Sequence, residues 1–450
     1  LFVPEIENKG FFAFSDKSIM KDMEIGSPAA IRRAAAKVRN PSTQPEKVIL
    51  AVASSLMTIV WPSEQNSIAM PSDIAANAYT GAIESAKMGI YDVNTGNTDF
   101  FTMVLPSLVL LTSYNQTDYY SQALATLLEA LEMRPDSVLV QYLLGTLYQK
   151  MGDLNSSAQM FEKAADYARK VIDESGKTPL TEEQWTNPST GFNSASSNNA
   201  WIWGLALSAE NLANLLTHTA HMSPEAAWGY ATYAQIGVNQ NLYDAIPETD
   251  FRKLSWLSSN KEDWTSGKYR FAGSQADMQS FINGSGRPAA KPYTALKFRP
   301  AQGECNDFNV GNAIDYCMMR IEEMYFIEME AQYPLDAAKG VELLNEFMHE
   351  YRDKTYSRIQ SGADFATFKK ELLLQKRIEF WGEGVLLFDY KRLDEPIDRS
   401  ASNHATVFKL KTERRSPQWN LVITRVEFQS NLAINDDTNN DDPSEKIAQP

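Results

Sequence analysis

The chain is poor in the residues that most often carry metal or nucleophilic chemistry. Of its 450 residues, two are cysteine and four are histidine. Cys305 and Cys317 fit no zinc spacing. They leave open one disulfide or two unrelated small buried residues, because geometry decides the pairing. His218 and His221, three apart, would share a helix face. No third ligand accompanies them, so surface or capping roles suit them better than a metal. Gly-x-Ser-x-Gly, Walker and His-Glu-x-x-His signatures are absent. No run of 18 apolar residues occurs, and the most apolar stretch, Phe101 to Leu111, is too short to span a bilayer. Positive charge is in deficit, with 42 Lys and Arg against 57 Asp and Glu and a net charge of −15. Nucleic acid is therefore not an expected partner, and anionic headgroups would repel the chain. It begins at Leu1 rather than Met, as expected of a trimmed chain from which an export signal would already be gone.

What is present suits a large helical protein. The hydrophobic fraction is 43%, enough for a sizeable core, and 11% of residues are aromatic, nine of them Trp. A shift of 34 residues aligns Leu110 with Leu144, Tyr114 with Tyr148, Ala123 with Ser157, Leu127 with Phe161 and Ala130 with Ala164. Pro135 closes the first copy. Thirty-four residues is the tetratricopeptide period: small residues let paired helices approach, and each unit needs a stacked neighbour to bury its face. Further helices are expected over Leu124 to Met133, Val138 to Lys150, Ser156 to Ile172, Asp315 to Ala331, Pro334 to Tyr351 and Phe365 to Trp381. The last should stop at Gly382 and Gly384. Ser223-Pro224-Glu225 reads as a helix start. Ala29 to Lys37 and Glu46 to Thr58 read as helices without a motif. The expected class is mostly all-α, with tetratricopeptide pairs over 100–172, a loop-rich region over 174–312 and helical hairpins over 313–435. The tail from Asn435 is polar and acid-rich.

Acids are abundant, so a carboxylate pair for glycoside hydrolysis is not excluded by count, but nothing singles one out. Glu322-Glu323 and Glu328/Glu330 read as a solvated helix face or as ion-pair partners. Neither catalysis nor a cofactor is expected. Arg377, Glu379, Glu383, Asp389 and Arg392, interleaved with Phe380, Trp381 and Phe388, suggest a partly buried ion-pair network under an aromatic lid, since the Arg fork pairs carboxylates bidentately.

The stretch Gln375-Lys-Arg-Ile-Glu-Phe-Trp-Gly-Glu-Gly384, with Leu387 to Arg392, resembles the C-terminal signature of SusD/RagB proteins, the surface nutrient receptors of Bacteroidetes. Asp315 to Ala331, Leu344 to Arg352, Leu242 to Lys253, Tyr293 to Phe298, Ile423 to Asn431, and Ala164 to Ile172 followed by Trp185 to Trp203 resemble other family segments in the family's order. The resemblance covers roughly residues 140 to 435, while residues 1 to 100 depart from the family's opening segment. It implies a single SusD-like α domain over 1–450, built on tetratricopeptide units, that binds an oligosaccharide or other nutrient by aromatic stacking. It further implies a lipid anchor on an N-terminal cysteine absent from this chain, a place on the cell outer membrane, and a TonB-dependent transporter as partner. The alternative is a tetratricopeptide protein-interaction scaffold without its own sugar site. The signature residues are structural in that family, so ligand contacts are expected elsewhere. Flat aromatics beside polar side chains on loops are the natural place for them. The candidates are Trp256, Asp263, Trp264, Tyr269, Arg270 and Phe271 in one loop, Trp185 with Asn187 and Phe192 in another, and Trp61 with Gln65 and Asn66. Trp201 and Trp203 read as core.

Overall fold

The structure, a computed structural model, describes residues 118–155, 157–192, 194–209, 215 and 217–415. The expected helices Ala29 to Lys37 and Glu46 to Thr58, the residues Trp61, Leu110 and Tyr114, the segment Ile423 to Asn431 and the tail from Asn435 lie outside them. The described chain is mostly helical, with one two-stranded sheet. Its helices are α1 (Asp118–Met133), α2 (Val138–Asn155), α3 (Ala158–Glu174), α4 (Glu182–Thr186), α5 (His218–Met222), α6 (Gln240–Asp244), α7 (Glu262–Thr265), α8 (Gln275–Asn283), α9 (Phe308–Gly311), α10 (Ile321–Gln332), α11 (Ala337–Tyr351), α12 (Phe365–Glu379) and α13 (Leu386–Arg392). Strand β1 (Trp201–Leu205) pairs antiparallel with β2 (Tyr316–Arg320).

The chain forms two compact units. One holds α1 and nearly all of α2, and the other runs Asn155–Leu393 with Asp398–Lys411. In the first, α1 ends just before Pro135, which disfavours helical geometry at Arg134. The small repeat positions Ala123 and Ala130 are fully buried, as is Leu127 between them. Leu139, Val140, Leu143, Leu144 and Leu147 are buried on α2, a helix apolar around most of its circumference.

In the second unit α3 buries a stripe of small residues, Ala164, Ala165 and Ala168, with Val171. That stripe lets it pack closely on α10. α10 is the central helix: Met324, Phe326, Ile327 and Met329 are buried, and so are Glu322, Glu328 and Glu330. These acids are not a solvated face. Each is an ion-pair partner, Glu328 receiving the Arg169 fork at 2.8 and 2.5 Å. α11 and α12 close over α10 around Phe326, Phe347, Phe368 and Phe380.

Two expected helices are corrected. Asp315 to Ala331 is not one helix: its first residues form β2, whose Cys317 and Met319 pair with Gly204 and Trp203 of β1. That ladder satisfies backbone groups a helix would have bonded internally. Ser223-Pro224 starts no helix, because Ser223 donates back to Thr219 and ends α5. Glu225 is drawn inward, where it accepts from Arg299 and from the Ala272 amide. Cys305 and Cys317 are separate free thiols, and burial pushes the Cys305 thiol up to about 12. Trp201 is buried as expected and Trp203 half-buried.

The charged signature is a buried network, anchored from further along the chain than its spacing suggests. Glu379, fully buried, accepts from Arg252 at 2.9 Å, Arg320 at 2.7 Å and Arg352 at 2.8 Å twice. Asp250 and Gln375 take the rest of the Arg252 fork. Glu322 pairs with Arg320 and Arg352, and Glu383 with Arg320 and Lys297. Four cations thus face four carboxylates, Asp250, Glu322, Glu379 and Glu383, with no net charge left over. Burial would raise the Glu379 carboxyl; the charges of Arg352 and Arg320 and the Arg352 hydrogen bonds hold it well below the carboxylate range instead. For Lys297 burial is the largest influence and brings the ammonium down to about 8 against the pull of Glu383. A second buried cluster joins Lys376, Arg392, Asp389 and Glu330. Arg377 stays half-buried beside these groups.

The turn after α12 depends on Gly382. Its φ is +78°, and a Cβ there would lie 2.5 Å from the Phe298 ring and 3.0 Å from the Met222 methyl. Gly382→Ala is expected to cost about 1–3 kcal/mol by overpacking a close contact. Gly384→Ala, with φ +83° but open space around it, should cost less. Thermal melts of the two variants check the order.

Candidate functional site

The two loop clusters singled out in the sequence meet in space, but not through their aromatic faces. Thr181 caps α4 in a reciprocal capping box with Gln184. This sets the helix N-terminus on the surface with Glu182 and Glu183 exposed. Opposite it runs the turn Gly267 to Arg270, where Gly267 takes φ +91°. Between them lies a cleft of about 550 Å³, with Leu254 and Arg299 on its inner side.

The rim is polar and balanced. Arg270 reaches across to Glu183 at 2.5 Å, both side chains largely exposed. Glu183 also accepts from the Asn187 amide at 2.9 Å. The hydrogen bond from Arg270, then that from Asn187, holds the Glu183 carboxyl below its ordinary range. Lys268 pairs with Glu248 at 3.0 Å and Asp263 at 3.6 Å. Burial alone would lower its ammonium, but Glu248 and the neighbouring charges raise it. Thr181 and Thr186 add hydroxyls to the wall. A fork of donors facing carboxylate and hydroxyl acceptors across the cleft can hold a polyhydroxylated ligand from both sides.

The expected stacking rings are elsewhere. Trp264 is 1% exposed, packed among Leu257, Phe281 and Leu296, with its N–H donated to the Ser258 carbonyl at 3.0 Å. Trp256 is 0% exposed and meets Trp381 edge-on. Trp185 is 1% exposed, its indole N–H 2.7 Å from Ser255 Oγ. These three have no face open to a sugar, and each is corrected from contact to framework: a large ring in a helical protein is worth most inside. Phe192 is buried edge-on against Trp185, and Phe271 leans on Phe281. Tyr269 is nearly buried, its hydroxyl accepting from the Ser258 amide, yet it lines the cleft. Asp263 closes the α7 turn with Asn260 and Lys268. Of the candidates among the described residues, only Arg270 stands on the rim with a charged head in solvent.

Glu183, Glu182 and Lys268 complete the rim, and the sequence does not single them out. The Thr181-x-x-Gln184 capping signal marks the surface end of a helix and would have drawn attention to the two acids after it. Among the described residues no group of three His, Cys, Asp or Glu side chains gathers to hold a metal. No described helix is long and apolar enough to cross a membrane.

This architecture, a mostly helical chain with tetratricopeptide helices and long folded loops, is shared with known proteins. The tetratricopeptide repeat family matches residues 139–171, on α2 and α3. No curated protein matches the sequence. Among solved structures, the chain is similar to a putative sugar binding protein from Bacteroides vulgatus, with 14% identity and a TM-score of 0.55 over 95% of this chain and 97% of that one. It is similar to a SusD superfamily protein from Bacteroides thetaiotaomicron, with 18% identity and a TM-score of 0.54 over 88% and 84%. It is also similar to surface glycan-binding protein A from Bacteroides thetaiotaomicron, with 13% identity and a TM-score of 0.52 over 95% and 99%. At these identities the likeness is one of fold, and the fold is SusD-like.

Proposed function

We propose that this protein is a glycan-binding receptor of the SusD type, which takes up an oligosaccharide at the outer-membrane surface and hands it to a TonB-dependent transporter. The observation that carries the reading is the cleft between α4 and the Gly267–Arg270 turn, on a fold shared along most of its length with a surface glycan-binding protein and the putative sugar binding protein named above. Its rim offers paired donors and acceptors and no arranged nucleophile, which suits holding a sugar rather than cleaving it. In this reading the protein is lipid-anchored and acts without catalysis. Trp185, Trp256, Trp264 and Phe271 then serve binding indirectly, by holding the cleft walls. Arg270, with Asp263 behind Lys268 and the edge of Tyr269, makes or supports the contacts.

Calorimetry with soluble α-glucan, β-glucan, xylan, mannan and galacturonan oligosaccharides tests it. At least one should bind with a micromolar-to-millimolar Kd, on the order of 4–8 kcal/mol. Arg270→Ala should weaken that binding about tenfold while leaving the melting temperature within a degree or two, because exposed pairs add little stability. No binding across the panel, together with capture of a partner protein through the helical repeat, would favour the interaction-scaffold reading instead.

A further inference from the structure

The surface carries two exposed tyrosines whose hydroxyls the fold does not use. Tyr233 is 70% exposed and Tyr230 is 49% exposed. They sit on one 3-10 turn, Tyr230–Thr232 with Tyr233 next. Neither hydroxyl has a hydrogen-bond partner among the described residues, whereas those of the buried Tyr269 and the half-buried Tyr316 do: Tyr269 accepts from the Ser258 amide, and Tyr316 from the His218 amide.

The turn beneath them is rigidly built. Ala231 and Thr232 are buried, and Thr232 Oγ1 donates to the Ala226 carbonyl at 2.5 Å. The amides of Tyr233 and Ala234 return to the Tyr230 carbonyl at 3.1 and 2.9 Å. Gly229 enters the turn so close to Ala220 that a Cβ would fall 2.6 Å from its carbonyl oxygen. Arg287 clamps the segment before the turn, donating to the carbonyls of Pro224 and Glu225. Gln235, just after it, is tied to the Pro288 and Ala289 carbonyls and to Thr294. The backbone that carries the two rings is therefore held in place before any ligand arrives, and little backbone ordering entropy remains to be lost on binding.

His221 adds a polar edge. Its ring lies 4.8 Å from the Tyr230 ring, tilted by 31°. Nδ1 is 2.9 Å from the Thr217 carbonyl oxygen. A carbonyl only accepts, so Nδ1 carries the proton, and in the neutral ring Nε2 is left as an acceptor. The cluster thus combines two flat apolar faces, two hydroxyls that donate and accept, and one fixed acceptor.

We infer that Tyr230, Tyr233 and His221 form a second carbohydrate contact, stacking a pyranose ring of an oligosaccharide on the tyrosine pair apart from the Arg270 cleft. The inference rests on the glycan-binding reading above and adds a site to it. Size favours a sugar over a protein partner. Fully exposed aromatic side chains offer roughly 150–250 Å² each, so these two present on the order of 250 Å². A stable protein interface needs about 800 Å² per partner, several times what the two tyrosine rings present. A sugar ring, with an apolar C–H face and a girdle of hydroxyls, matches both the area and the free polar groups.

The test uses the full chain and the oligosaccharide panel named above, with calorimetry and the melting temperature read together. Tyr230→Ala/Tyr233→Ala should weaken binding of the best oligosaccharide at least fivefold with an unchanged melting temperature, since both rings are exposed. Tyr230→Phe/Tyr233→Phe, which keeps the rings, should lose twofold or less. Unchanged affinity in the alanine pair, with Arg270→Ala still weakened, would overturn the second contact and leave the glycan-binding reading standing. A wild-type chain that binds none of the panel would overturn both.

Discussion

Replacing Glu379 by alanine is expected to lower stability by about 3–5 kcal/mol or more, the range for removing one member of a buried ion pair. The reason is arithmetic in charge. The carboxylate is the shared acceptor of Arg252, Arg320 and Arg352, each buried, so its loss strands three guanidinium groups away from water. A domain holds only about 5–15 kcal/mol in total, so the variant should melt roughly 10 °C lower or fail to accumulate. Glu342→Ala is the matched control. Glu342 pairs with Lys339 at 2.8 Å, as short as the buried pairs, but both side chains are about half exposed, and its removal should change stability by less than about 0.5 kcal/mol. The same carboxylate sets the acid limit. Its folded pKa is depressed, so its stabilisation is complete above the ordinary Glu range and drains away as pH falls below about 4.3 toward the folded value. If Glu379→Ala melted within 2 °C of wild type, the buried network would not be what holds α10 to α12 together.

The helical scaffold was legible because its signals are local. Pro135 and the Gly382/Gly384 stop each act within a few residues of themselves, and α1 and α12 end near them. β2 was not legible. Tyr316-Cys-Met-Met-Arg320 has no clear period and runs straight into α10, and its partner strand lies more than a hundred residues earlier. The ion network lay between these cases. Alternating Arg and Glu after residue 375 announced buried charge, and Glu379, Glu383, Asp389 and Arg392 do form it. The cations on Glu379 come instead from residues 252, 320 and 352, which no local spacing could connect. Arg377, next in sequence to this network, takes no part in it.

For the site, residue type was readable and orientation was not. Trp264 and Trp256 sit in a Gly- and Ser-rich stretch that reads as open loop, yet Leu257, Leu296 and Phe281 pack with Trp264, and Val238, Leu242 and Ile246 with Trp256. A loop of that length buries its aromatics to hold itself together, leaving charged and hydroxylic groups at the surface. Arg270 shows the converse, because its pairing with Glu183 needs an exposed helix end 87 residues away. Tyr230 and Tyr233 carry a visible i, i+3 spacing beside Gly229, but only their exposure in the fold separates them from the other described tyrosines.

Trp185→Ala gives the second large effect and decides what that residue is for. The ring is almost fully buried and lies under three cations at once: Lys297 at 4.8 Å, Arg320 at 5.6 Å and Arg352 at 5.6 Å from its centroid. Its N–H is bound to Ser255. Truncation should cost about 3–5 kcal/mol, as for other buried Trp side chains, and it removes the apolar side of α4. Leu180, two residues before that helix, is already bound through its amide to Glu322 and its carbonyl to Arg352, so the cleft wall rests directly on the network. Stability and oligosaccharide binding should therefore fall together in Trp185→Ala. Trp185→Phe, which keeps a ring and loses only the hydrogen bond to Ser255, should keep most of both. Arg270→Ala should lose binding alone. The discriminating measurement is the pair of melting temperature and Kd for each variant. A Trp185→Ala chain that melted like wild type but no longer bound sugar would make Trp185 a ligand contact and the buried arrangement untenable.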